Sequence, residues 1–138
     1  MTLAAPATLL TAIATVLAIL ISVGTSILVA RTRARVGIQP PVMTGPPELE
    51  RALRIQGNTL EQFVMFVPAL WLAALYFQGW IPAALGLVWC VGRIIYARLY
   101  LAGKNRIVGF SLTIYPTLML VILAVIGIVQ AWMASTAV

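Results

Sequence analysis

Four apolar runs dominate this chain, and each is long enough to cross a bilayer, which takes about 20 apolar residues in a helix. They lie at roughly 3–31, 48–78, 81–102 and 106–133. A helix satisfies its own backbone hydrogen bonds in lipid, so the expected fold is a single all-α domain over residues 1–138, an integral membrane four-helix bundle. Composition points the same way. The chain is 62% hydrophobic and only 9% charged, against about 45–50% and about 25% for soluble domains. Too few polar residues remain to cover a soluble domain of this size.

Breakers punctuate the runs. Arg31, Arg33 and Arg35 end the first run, and Pro40-Pro41 and Gly45-Pro46-Pro47 mark the loop after it. Pro47 suits a first helical turn, with Glu48 and Glu50 at the positive end of the helix dipole. Gln78-Gly79 closes the second run and Gly103-Lys104-Asn105 turns the chain into the fourth. Pro68 and Pro116 predict kinks. The first 30 residues carry no charged side chain. That run lacks the basic start of a signal peptide and is too long for one, so it reads as a retained transmembrane helix.

The net charge is +6. All nine Lys and Arg fall within residues 31–54 and 93–106. The positive-inside rule then puts the first and third connections in the cytoplasm and both termini on the other side, in the inner membrane if the source is bacterial. Trp71, Trp80 and Trp132 belong at the opposite interface. The basic excess does not indicate nucleic acid, because no soluble region exists to hold a duplex. With no histidine, three carboxylates and the single Cys90, no metal site, imidazole base or intrachain disulfide is expected. Cys90 reads as core packing, and Gly86 and Gly92 as close helix contacts.

Against this background the polar residues of the second and third runs stand out. Arg51, Arg54, Asn58 and Glu61 are spaced three, four and three apart, one face of a helix. Arg93, Tyr96 and Tyr100 repeat the pattern on the third run. Ionisable groups at membrane depth are costly and mark functional sites that face protein or water. Blander readings stand beside this one. Arg51 and Arg54 also suit headgroup anchors. Glu61 could form a structural ion pair with Arg54 or Arg93. Tyr96 and Tyr100 alone would pass for interfacial aromatics. Taken together, the set describes a pocket with excess positive charge, a few acceptors and two phenols. Arginine forks bind carboxylates, Asn58 and Gln56 can read peptide amides, and Glu61 can accept from an amino group. The complementary ligand is small, multiply anionic and peptide-like with one ammonium, a description glutathione meets. A small cation exporter would also use a membrane glutamate such as Glu61, but the surrounding arginines would repel its cargo.

Three stretches carry a family resemblance. They are Thr44-Gly45-Pro46-Pro47-Glu48-Leu49-Glu50-Arg51, Arg54-Ile55-Gln56-Gly57-Asn58-Thr59-Leu60-Glu61, and Gly92-Arg93-Ile94-Ile95-Tyr96-Ala97-Arg98-Leu99-Tyr100. With the four-helix plan, they resemble the MAPEG family, the membrane-associated proteins of eicosanoid and glutathione metabolism, and within it the microsomal glutathione transferases. The resemblance implies a homotrimer with glutathione bound between subunits near the cytoplasmic face. It implies glutathione contacts at Arg54, Gln56, Asn58, Glu61, Arg93, Tyr96 and Tyr100, and more loosely at Arg31 and Arg51. It makes Arg106 the nearest match to the family arginine that stabilises the glutathione thiolate. Gln62 and Gly57 depart from eicosanoid-forming members, which have tyrosine or arginine there. The implied activity is a glutathione transferase or peroxidase acting on lipophilic electrophiles from the bilayer, without a metal. The alternative is a non-catalytic member that binds lipid or a partner.

Overall fold

The computed structural model describes residues 6–77 and 79–136. Four helices follow in order, α1 (Pro6–Val36), α2 (Pro47–Tyr76), α3 (Ile81–Leu101) and α4 (Ile107–Thr136). All four are long and apolar enough to span a membrane. No strand occurs among the described residues.

The first helix does not stop at its arginines. It runs on to Val36, and Gly37 ends it at φ 72°. The Gly37 and Ile38 N–H groups both donate to the Arg33 carbonyl, at 2.9 and 3.2 Å. A left-handed glycine is what allows this cap, whereas charge alone does not break a helix. Arg33 is buried and reaches back to the Ile38 carbonyl at 3.5 Å. The second helix opens as its sequence predicts, with Pro46 at the N-cap, proline in the first turn, and Glu48 and Glu50 behind it. Pro68 and Pro116 lie inside continuous helices.

Helices α2 and α3 form the central pair. Helix α1 packs against both from one side and α4 against both from the other, and α1 and α4 do not meet. The buried stripe of α2 is Ala52, Ile55, Thr59, Gln62, Phe66, Ala69 and Ala73, the three-and-four alternation of a packed helix face. Opposite it, α3 buries Gly86, Trp89, Cys90, Gly92, Arg93 and Tyr96. Phe66 and Trp89 stack across the interface with centroids 4.1 Å apart and planes 5° apart.

Lipid tails are as apolar as leucine, so tight packing rather than water exclusion holds such helices together. Small residues supply it. A Cβ on Gly86 would lie 3.0 Å from Ala14, and one on Gly92 would lie 2.7 Å from Leu112. At Gly109 a Cβ would collide with the Tyr96 backbone, so α4 rests directly on α3 beside a site residue. Buried threonines bond back to their own helix, as Thr11 does to Ala7 and Thr117 to Thr113. The outer surface is a coat of exposed Leu, Ile, Val and Met.

Candidate functional site

At the end of the bundle where the first and third connections lie, the helices open into a cavity of about 910 Å³. Helix α2 contributes Arg54, Asn58 and Glu61 from successive turns, and α3 contributes Tyr96 and Tyr100. The third connection adds Asn105 and Arg106, and α4 adds Ile107 and Phe110. Met43, Thr44 and Glu50 close the loop side. Two cations, Arg54 and Arg106, therefore face two carboxylates, Glu50 and Glu61. The lining is balanced rather than strongly positive.

Arg93 stands behind this surface. It is 1% exposed and does not line the cavity. One Nη donates to Asn58 Oδ1 at 3.1 Å and the other to Thr59 Oγ1 at 2.7 Å. Thr59 passes its own proton to the Ile55 carbonyl at 2.7 Å. The guanidinium also lies 4.4 Å from the Tyr96 ring centroid, a cation–π contact. These bonds replace the ion pair considered from sequence. Glu61 pairs with neither Arg54 nor Arg93, and among the described residues the one ion pair joins Arg35 to Glu48 at 2.8 Å. The Arg93 Nη groups are committed to neutral acceptors, so the Glu61 carboxylate stays open to the cavity. Among the described residues only the Asn58 amide is within hydrogen-bond reach of it, at a long 3.5 Å.

Arg106 is anchored from two sides. Asn105 Oδ1 accepts from the Ile107 N–H at 3.0 Å and fixes the start of α4. The Arg106 guanidinium sits 4.7 Å from the Tyr100 ring centroid. Tyr100 in turn tilts against Tyr96, with centroids 5.6 Å apart.

Besides Arg93, three of the residues expected from sequence lie outside the cavity. Gln56 turns toward α1 and donates to Ser26 Oγ at 3.0 Å. Arg31 is exposed on α1 and lines neither this cavity nor the smaller one beside it. Arg51 borders a second, smaller cavity that shares Glu50, Arg54, Tyr100 and Arg106 with the first. Thr59, Asn105 and Phe110 were not singled out from sequence. Thr59 carried a signal, since it directly follows Asn58 and falls on the buried stripe of α2. Gln62 is buried in the same stripe. Gly57 lines the cavity with open space beyond its Cα.

Four membrane-length helices with a polar cavity at one end define an integral, multi-pass membrane protein. The chain belongs to the MAPEG family, whose model matches residues 11–126. It is 45% identical to an uncharacterized protein of Synechocystis sp. over 121 residues, 87% of this chain and 85% of the relative. It is 37% identical to human microsomal glutathione S-transferase 2 over 106 residues, 76% of this chain and 72% of the relative. Bovine leukotriene C4 synthase is 33% identical over 122 residues, 88% of this chain and 81% of the relative.

Proposed function

We propose that this protein is a glutathione-dependent transferase or peroxidase acting on lipophilic electrophiles, assembled as a homotrimer with its sites toward the cytoplasm. The observation that carries the reading is the convergence of Arg54, Asn58, Glu61, Tyr96, Tyr100 and Arg106 on one cavity at a membrane-interface end of the bundle. The relatives named for glutathione transfer support it.

Glutathione brings two carboxylates, an ammonium, two peptide amides and a thiol. Arg54 offers a guanidinium fork to a carboxylate. Glu61, free of any arginine, accepts from the ammonium. Asn58, oriented by Arg93, offers its amide to the peptide. Arg106 lowers the thiol pKa by proximity of positive charge and raises the thiolate fraction. The sulfur then forms a bond to an electrophilic carbon as the leaving group departs with its electron pair. With a hydroperoxide, the sulfur takes the distal oxygen and becomes a sulfenic acid while the alkoxide leaves and takes a proton. A second glutathione then reduces the sulfenic acid, giving the disulfide and water. The lipophilic partner enters from the bilayer past Phe110 and Ile107, and the space beside Gly57 leaves room for a bulky group.

Gln56 and Arg31 serve the neighbouring subunit in this reading. Both face the α1 side of the chain, away from its own cavity. In a trimer the α1 side of one subunit closes the cavity of the next.

A binding and turnover assay with glutathione and an aryl halide in detergent tests the reading. Saturable, glutathione-dependent release of halide is expected. Glutathione binding with neither turnover nor bound-thiolate absorbance would favour the non-catalytic alternative.

A further inference from the structure

The smaller cavity has a volume of about 310 Å³ and a composition unlike its neighbour's. Arg51, Arg54, Lys104 and Arg106 line it against the single carboxylate of Glu50, an excess of three positive charges. Arg51 and Lys104 belong to this cavity alone. None of the four cations has a carboxylate within 4.0 Å among the described residues.

The Arg51 side chain and the Lys104 backbone are held in place. Arg51 donates from Nη1 to the Leu101 carbonyl at 3.3 Å. Its guanidinium lies over Gly103, where a Cβ would stand 3.5 Å from Nη2. Gly103 has φ 66° and closes α3 with two bonds. Its N–H donates to the Tyr100 carbonyl at 3.1 Å, and the Lys104 N–H donates to the Leu99 carbonyl at 2.9 Å. This glycine-closed helix end fixes the Lys104 backbone beside Arg51.

The depth of the cavity follows from α3. Its 21 residues span about 31 Å at 1.5 Å each, close to the roughly 30 Å thickness of a hydrocarbon core. The two ends of α3 therefore mark the two edges of the apolar layer, and Gly103 and Lys104 lie among the headgroups. Arginine forks with a lysine ammonium match the oxygens of a phosphate.

We propose that this smaller cavity is a phosphate site at headgroup level, filled by the phosphodiester of an anionic phospholipid, and that its occupant opposes glutathione in the adjoining cavity. The opposition follows from the shared wall. A phosphate near Arg54 and Arg106 weakens the positive potential that a second anion would meet, and the coupling acts equally in both directions. The antagonism rests on the glutathione reading above, whereas the phosphate site does not.

The test uses the full chain in phosphatidylcholine nanodiscs with and without phosphatidylglycerol. Lipid retained after transfer to neutral detergent is read by native mass spectrometry. Phosphatidylglycerol should be retained over phosphatidylcholine. Lys104→Gln and Arg51→Gln should each cut that preference about fivefold, the weight of one basic side chain beside an anionic surface. Arg51→Lys should restore most of it. Arg35→Gln, at the same end of the bundle but outside the cavity, should change it little. Equal retention of the two lipids, or an equal loss in Arg35→Gln, would overturn the site in favour of general surface charge. Inorganic phosphate is the second probe. Displacement of the lipid by millimolar phosphate supports the same phosphate chemistry with a soluble source, and failure to displace it supports the lipid. Calorimetry then reads glutathione affinity, which phosphatidylglycerol should weaken in the parent and weaken less in Lys104→Gln. Unchanged affinity in the parent would overturn the antagonism and leave the lipid result standing.

Discussion

Among the described residues Arg93 is a buried charge with no ion-pair partner, and neutral oxygens and aromatic faces surround it. Removing one partner of such a group leaves an unpaired buried donor, at a cost of about 1–3 kcal/mol. Thr59→Val keeps the shape and removes the acceptor, so it should lower thermal stability in detergent by that order, while Thr59→Ser should not. Arg106 is a different case, exposed and held by Tyr100. Arg106→Ala should raise the titration of a glutathione thiolate, followed by ultraviolet absorbance, by about 1–3 units, the size of a close opposite-charge effect. Glutathione affinity should change much less, because Arg54, Asn58 and Glu61 remain. An unmoved titration would transfer the role to another cation. At this scale the sequence was informative about faces and silent about partners. The spacing of Arg54, Asn58 and Glu61 already placed them together. It could not distinguish an Arg93 bonded to Glu61 from one bonded to Asn58 and Thr59, because adjacent positions on α2 are both within reach of a long side chain.

Helix ends show a similar division. Proline and glycine at the start of α2 and the end of α3 were readable because backbone geometry dictates them. The end of α1 was misplaced at its arginines, although Gly37 was the residue able to close it. Contacts between helices were only partly legible. Gly92 was recognised as a packing residue, but Gly109 carries the tighter approach, against the Tyr96 backbone, and nothing local to it in sequence names its partner. Gly109→Ala should separate α4 from α3 and destabilise the protein by about 1–3 kcal/mol, as overpacking does. Because Tyr96 is the residue struck, glutathione affinity should fall with stability. A melting temperature that dropped with no change in affinity would separate the helix contact from the site.

For the whole molecule, four apolar spans and the segregation of charge were enough to define the bundle. Assembly was not legible from either. In the single chain Glu61 is exposed on a helix of membrane length, in a cavity left open on one side, and a charge reached by lipid costs up to about 2.5–3.5 kcal/mol on the insertion scale. In the proposed trimer a neighbouring subunit would remove that exposure, so native mass spectrometry in mild detergent should find trimers. Glu61→Gln should loosen glutathione binding and also alter assembly stability. The basic connections predict the orientation. A reporter fused after Val138 should be active only in a form that works outside the cytoplasm, and activity of a cytoplasmic reporter would reverse the topology.

Cys90 gives the chain a chemical property of its own. It is the only cysteine, 4% exposed, with its thiol 3.6 Å from the Ala14 carbonyl. A protein with the proposed activity would ordinarily risk capture by its own disulfide product, through mixed disulfides. Here the sole sulfur able to enter such exchange is walled in by α1 and α3. Thiol-selective alkylating reagents and oxidised glutathione should therefore leave Cys90 unmodified in the folded protein, read by intact-mass spectrometry.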